Sequence, residues 1–174
     1  IPGARAVAMA LSKAGCNPVE LFTDAEHEPS GRRATAADIR ATLRTLAGTA
    51  GQEGSLLFFF SGSGVQEGEG PGTRIDLLIS GTRAGEGIEL RELAADLAPC
   101  RTSHLVALDI GHQDGVAAFS RNVTDALEKI YPQTCVVFSC GSKNELSHLE
   151  ARQDGAGRTR FSRRLIEALS GAGD

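Results

Sequence analysis

The chain lacks two features that would assign it to a membrane or to a nucleic acid. No apolar run approaches the roughly 20 residues that a membrane-spanning helix needs, and no secretory signal is recognisable. Basic residues do not exceed acidic ones, since 18 Lys and Arg stand against 22 Asp and Glu and the net charge is −4. We therefore expect neither membrane insertion nor a nucleic-acid surface.

Paired cysteine motifs are also missing. The four cysteines are Cys16, Cys100, Cys135 and Cys140. None forms a C-x-x-C pair, and no Cys/His group has the spacing of a zinc site. We expect free thiols in a reducing compartment, which predicts a cytoplasmic protein without a bound metal.

The length and the hydrophobic pattern predict one α/β domain over residues 1–174. Hydrophobic residues make up 41% of the 174 residues, enough for one core. Three of the predicted strands are nearly continuous apolar runs, which favours a mostly parallel sheet covered by helices on both faces. Helices are predicted at Ala4–Ala14, after Thr35, at Leu90–Leu97, Val123–Ile130 and Phe161–Leu169, and strands at Pro18–Asp24, Ser55–Phe60, Ile75–Ile79, His104–Asp109 and Thr134–Ser139.

Two strand ends carry the polar residues of interest. Ser55–Phe60 precedes a predicted Ser-Gly-Ser-Gly turn at Ser61–Gly64, and Leu105–Leu108 precedes Asp109–His112. In doubly wound sheets, sites form at the carboxyl ends of parallel strands. The sequence therefore predicts a site where these two segments meet.

These segments resemble the caspase-like cysteine peptidases, especially metacaspases and their bacterial relatives. In that family the first strand ends in Ser-Gly-His-Gly and the second in Asp-x-Cys-His-Ser-Gly. Further segments match the family in order: Gly3–Leu11, Phe22–Asp24, Ile75–Ile79, Ser139–Cys140, Glu145, Glu150 and Phe161–Ser162. The resemblance implies a three-layer αβα sandwich that corresponds to the family's large subunit. It also implies a first central strand, for which no segment before Gly3 is available.

The resemblance implies that the catalytic dyad is absent. Ser63 stands at the position of the family's base His, and Gly111 at that of its nucleophilic Cys. Glycine has no side chain to attack a carbonyl, and a serine hydroxyl does not titrate near neutral pH. Gln113 and Asp114 also replace the family's Ser and Gly. We therefore expect a pseudopeptidase, not an enzyme, with no cofactor.

The same resemblance implies that a specificity pocket remains. Ser61 and Asp109 match the residues that help metacaspases bind a basic side chain, and a carboxylate receives Arg or Lys by charge-assisted hydrogen bonds. The predicted partner is a protein or a basic peptide, including an active homologue or a second copy. The alternative is that Asp109 only caps neighbouring backbone amides.

Three other interpretations remain open at this stage. A relocated nucleophile, either Cys140 or Ser63 paired with His112, would give an Arg/Lys-specific peptidase. A purely structural domain within a longer chain would bind no peptide. The segment Gly62–Gly68 also fits a loose dinucleotide-binding pattern, but that mechanism needs a helix directly after the turn, and the acidic, glycine-rich Gln66–Gly72 predicts a loop.

A calcium site is disfavoured because Ala118 and Ser80–Thr82 lack the acids that the family uses.

Overall fold

The computed structural model describes residues 2–23, 32–33, 35–68, 73–79, 82–83, 85–101, 103–112, 122–123, 127, 134–142 and 158–171. These residues belong to two compact units, Ile1–Arg33 with Asn144–Asp174, and Ala34–Lys143. The helices are α1 Pro2–Lys13, α2 Ala36–Ala50, α3 Leu90–Leu97 and α4 Arg160–Leu169, and the strands are β1 Phe22–Thr23, β2 Arg32–Arg33, β3 Leu56–Glu67, β4 Arg74–Leu78, β5 Ile88–Glu89, β6 His104–His112 and β7 Thr134–Ser142. None of the described helices is long and apolar enough to span a bilayer.

In the first unit, α1 packs against α4, and β1 pairs with β2 in parallel. The Thr159 hydroxyl accepts a 3.0 Å hydrogen bond from the Ser162 amide and so caps the start of α4. Ser162 is fully buried, and a Cβ on Gly3 would lie 3.0 Å from its hydroxyl. A glycine at position 3 therefore lets the two helices approach closely.

The second unit contains a five-stranded sheet with the order β5-β4-β3-β6-β7. β3, β6 and β7 are parallel, whereas β4 and β5 pair antiparallel. The α/β class is therefore confirmed, but the expectation of a mostly parallel sheet is wrong because the sheet is mixed. The reason is that β3 continues to Glu67 and the chain returns directly as β4, and a short connection can join only antiparallel neighbours.

One face of this sheet is covered by α2 and α3. The Thr35 hydroxyl accepts a 3.1 Å hydrogen bond from the Asp38 amide, so α2 begins at the predicted cap. Even-numbered residues of β3 and β6 face these helices. The core on this face includes Leu43, Ala47, Leu56, Leu90, Leu93, Leu97, Val106, Leu108 and Ile110, and Phe58 and Phe60 pack against it.

Several predicted boundaries are wrong. The Ser61–Gly64 segment is not a turn but the middle of β3, which also extends into the predicted loop that begins at Gln66. Leu57 and the three phenylalanines after it are only half-buried, not enclosed as the apolar run predicted. β2 and β5 were not among the predicted strands.

The predicted helix Val123–Ile130 lies largely outside the described residues, although Val123 and Leu127 are helical and buried. The matches at Glu145 and Glu150 also lie outside them, as do Gln113, Asp114 and Ala118. The single domain over 1–174 stays a prediction.

Candidate functional site

Strand register brings the four principal residues together. In the parallel pairing of β3 with β6, Ser61 lies opposite Asp109, and Ser63 lies opposite Gly111. Register partners share a face, and residues two apart on one strand share it as well. Ser61, Ser63, Asp109 and Gly111 therefore form one patch at the carboxyl end of the parallel strands. We call the face that carries them, opposite to α2 and α3, the odd-numbered face.

Burial increases across this patch from Ser63 to Asp109. Ser63 is exposed and Ser61 is half-buried, whereas Asp109 is only 4% exposed. Asp109 also takes part in an interaction within the protein. A buried carboxylate is stable only with hydrogen-bond donors or a cation close to it. The patch therefore combines an accessible hydroxyl at the surface with an acidic group below it.

The third strand extends the same face with small residues. β7 pairs with β6 so that Ser139 lies opposite Asp109, and Gly141 lies opposite Gly111. Each of these positions falls on the odd-numbered face by the same alternation. Gly111 and Gly141 therefore place two positions without a Cβ side by side on this face.

The register separates His112 and Cys140 from this patch. Cys140 lies opposite Ile110, and His112 lies opposite Ser142. Both are therefore even-numbered positions on the face of α2 and α3, whereas Ser63 and Gly111 belong to the other face. The backbone does not bring either residue into a dyad with Ser63.

The glycine at position 62 is explained by packing, not by a phosphate. A Cβ on Gly62 would lie 2.8 Å from Cζ of the Phe60 ring, so the ring covers the glycine. The chain stays extended from Gly62 to Glu67 and pairs with β4, and no helix begins there. The dinucleotide-binding interpretation of Gly62–Gly68 is therefore wrong, because its anion site requires a helix N-terminus.

Sequence reasoning missed a buried carboxylate in β4, the strand that pairs with Ser63. Asp76 is fully buried in β4, accepts a 2.9 Å hydrogen bond from Arg74 Nε, and accepts a 2.7 Å bond from the Gly85 amide. This bond ties the segment at Gly85 to β4. The Arg-x-Asp spacing at the start of a strand was the only signal in the sequence.

Among the described residues, no group of three or more His, Cys, Asp or Glu could hold a metal ion. Comparisons with protein-family models, with curated proteins and with solved structures found no match. The geometry of the strand ends is therefore the basis for a functional proposal.

Proposed function

We propose that the protein is a caspase-like pseudopeptidase that binds an Arg- or Lys-containing segment of a partner protein without cutting it. The observation that carries the proposal is the register of β3 and β6. It pairs Ser61 with Asp109 and Ser63 with Gly111 on one face of the sheet. These are the four positions at which the resemblance implies a basic-side-chain pocket and a catalytic dyad. The proposed fold is an αβα sandwich of the family's large-subunit type.

The lack of cleavage follows from the residues at the dyad positions. Hydrolysis by the family mechanism needs a thiolate and a base that accepts its proton. Gly111 supplies no nucleophile, and Ser63 supplies a hydroxyl without a base opposite it in the register. Cys140 and His112 occupy even-numbered positions, which counts against a relocated dyad. The peptidase alternative therefore has less support than binding.

Affinity for a basic side chain follows from Asp109. A carboxylate has about four acceptor positions on its two oxygens, so a carboxylate can accept hydrogen bonds from a guanidinium or an ammonium as well as from a donor within the protein. Charge-assisted hydrogen bonds of this kind contribute about 1.5–3 kcal/mol each. Ser61, its neighbour in the register, supplies a hydroxyl that can accept a further bond.

The proposed partner is a protein, and the proposed compartment is the cytoplasm. Among the described residues, Cys16 is a free and exposed thiol and Cys100 a free and buried one, which suits a reducing environment. The proposed role is regulation of an active homologue by holding its basic segment.

The binding test uses fluorescence polarisation with peptides that carry Arg, Lys or the uncharged isostere citrulline at one position. We expect the Arg and Lys peptides to bind and citrulline to bind at least about 10-fold more weakly, which corresponds to about 1.4 kcal/mol. Asp109→Asn should produce a similar loss. The matched control is Glu53→Gln, because Glu53 is exposed and lies outside the patch. Equal binding by all three peptides contradicts the proposal.

The cleavage test compares the protein with the double variant Ser63→His/Gly111→Cys on fluorogenic Arg and Lys substrates, with and without calcium. Because the two positions face each other across β3 and β6, the introduced side chains meet as neighbours. We expect cleavage by the double variant only. Cleavage by the unmodified protein would support the relocated nucleophile, and Cys140→Ala would then test it.

A further inference from the structure

The buried carboxylate of Asp76 lies on the same face of the sheet as the candidate site. β4 pairs with β3 so that Leu78 lies opposite Ser63, and Asp76 lies opposite Val65. Register partners share a face, and residues two apart on one strand share it as well. Asp76 is therefore on the odd-numbered face, one strand and one side-chain repeat from Ser63, which corresponds to roughly 8 Å between the two Cα atoms.

Asp76 holds a turn of the β4–β5 connection against this face. Its carboxylate accepts a 2.7 Å hydrogen bond from the Gly85 amide. Arg74 donates from Nε to the same carboxylate at 2.9 Å, and its Nη2 lies 3.5 Å from the Gly85 carbonyl oxygen. Gly85 has a φ of +82°, a conformation that glycine adopts without strain. Side chains of β4 therefore hold the backbone of the turn at Gly85.

Further hydrogen bonds close the connection on both sides of Arg83. The Glu86 amide donates a 3.0 Å hydrogen bond to the Arg83 carbonyl, and the Glu86 carboxylate accepts a 3.1 Å bond from the Arg83 amide. On the other side, the Thr82 hydroxyl donates to the Ile79 carbonyl at 2.7 Å and accepts from the Ile79 amide at 3.1 Å. The backbone that carries Arg83 is therefore held by two hydrogen-bonded turns in succession.

This connection presents the Arg83 side chain to solvent. Arg83 is exposed, and within the part of the chain that the structure describes no hydrogen bond or ion pair engages its guanidinium. Its amide and carbonyl are both used inside the turn, so the side chain is the part that a partner can contact. A guanidinium binds a carboxylate through two parallel hydrogen bonds. Because the turn is already ordered, such binding requires little further ordering of the backbone.

We infer that Arg83 is a specificity-determining residue of the candidate site, and that the partner segment carries an acidic residue that binds it. The inference rests on the proposed function and adds one Asp or Glu to the partner's Arg or Lys. From β6 to β4 the sheet spans about 9.6 Å, and the turn is bound to Asp76 of β4. With the reach of the side chains, the acidic and basic residues of an extended partner should be about three to six residues apart, at about 3.3 Å per residue.

The first experiment uses probe peptides with one central Arg and one Glu, which is moved position by position to either side of the Arg. Each probe is compared by fluorescence polarisation with the same peptide carrying Gln in place of Glu. At one or more positions within the expected spacing, Glu should bind at least about threefold more tightly than Gln, the size of effect that exposed ion pairs give. The preference should disappear in 1 M NaCl, because salt screens exposed charges.

Charge reversal tests whether Arg83 causes the preference. In Arg83→Gln, the Glu and Gln probes should bind equally. In Arg83→Glu, a probe with Lys at the same position should bind more tightly than the Glu probe, which completes a double-mutant cycle. The matched control is Arg91→Gln, because Arg91 is also exposed but belongs to α3, which covers the opposite face. This control should leave the Glu preference unchanged.

Two glycine substitutions test the contribution of the turn. Gly85→Ala places a side chain at a φ of +82°, and Gly68→Ala places one at +90°, and in both cases the new Cβ meets open space. The two variants therefore carry similar backbone strain, but only Gly85 belongs to the turn. Gly85→Ala should lower the Glu preference to below about 1.5-fold, because the turn no longer orders Arg83. Gly68→Ala should leave the preference unchanged.

The outcomes separate this inference from the proposed function. Equal binding of Glu and Gln probes at every position, with Arg still preferred over citrulline, overturns the inference and leaves the proposed function intact. A Glu preference that persists in Arg83→Gln assigns the acidic residue to another cation and also overturns the inference. A preference that Gly85→Ala leaves unchanged overturns the contribution of the turn. Failure of every Arg and Lys peptide to bind overturns both proposals.

Discussion

Asp96 joins α2 to α3, and its removal tests how much of the stability depends on one buried carboxylate. It is 4% exposed and accepts hydrogen bonds from Arg40 Nε at 2.6 Å, Arg40 Nη2 at 3.3 Å and Arg44 Nη1 at 3.0 Å. Its hydrogen bond is the main reason why the pKa of Arg40 is raised. The more exposed Glu92 contacts the same guanidinium at 2.7 Å. The two carboxylates therefore contact the same guanidinium but differ in burial, so their substitutions can be compared directly.

We expect Asp96→Asn to lower the free energy of unfolding by about 2 kcal/mol. Removing one partner of a fully buried pair costs about 3–5 kcal/mol. The effect is smaller here because the Arg40 and Arg44 side chains are 25% and 52% exposed and regain water. Glu92→Gln should cost less than about 1 kcal/mol, as exposed ion pairs do.

Urea unfolding with an unchanged m-value measures both variants. With m near 2 kcal/mol/M, the midpoint for Asp96→Asn should fall by about 1 M, and for Glu92→Gln by less than about 0.5 M. Repeating both in 1 M NaCl should reduce only the Glu92 effect, because salt screens exposed charges most. Equal losses in the two variants would refute the claim that burial distinguishes them.

Three further predictions concern folding. Gly62→Ala should destabilise the protein by about 1–3 kcal/mol because its Cβ collides with the Phe60 ring, whereas Gly48→Ala, in open space within α2, should stabilise it by about 0.5–1 kcal/mol; urea midpoints compare the two. Burial, opposed by a backbone hydrogen bond, lowers the pKa of His104 from 6.5. Below about pH 6.5 the unfolded chain therefore binds more protons than the folded protein, and stability should fall as the pH drops toward the lowered pKa. His104→Gln should flatten this dependence when unfolding is measured at a series of pH values. Thr35→Ala removes the cap of α2 and should cost about 1 kcal/mol, and Thr35→Ser should restore most of it in the same measurement.

The neighbouring positions at the strand ends were predictable from the sequence because strand alternation is a local property. The two spacings, Ser61 to Ser63 and Asp109 to Gly111, each equal one strand period, so any parallel register that aligns the strand ends brings all four residues onto one face. Cys140 could not be assigned to the opposite face by this reasoning alone. The assignment requires the register of β6 with β7, which depends on long-range pairing and cannot be derived from either segment by itself.

The length of β3 was not predictable in the same way. Ser-Gly-Ser-Gly has weak strand propensity and typical turn composition. The segment is extended because β6 pairs with Leu56–Ser63 and β4 pairs with Ser63–Glu67, so tertiary pairing overrides local preference. The half-burial of Leu57 and Phe59 was missed for a related reason. An apolar run predicts that a strand will be buried, but it does not indicate how completely the rest of the chain will cover each side chain.

The buried position of Asp109 fits a structural role as well as binding, and one substitution distinguishes the two. If the carboxylate only accepts hydrogen bonds from neighbouring backbone amides, Asp109→Asn should lower the free energy of unfolding, because the substitution weakens those hydrogen bonds. Peptide affinity should then stay unchanged. If the carboxylate is kept for a cationic ligand, the same substitution should change stability little, or raise it, because it removes a buried charge, while peptide affinity falls. Urea unfolding and peptide titration on the one variant therefore distinguish a capping carboxylate from a binding one.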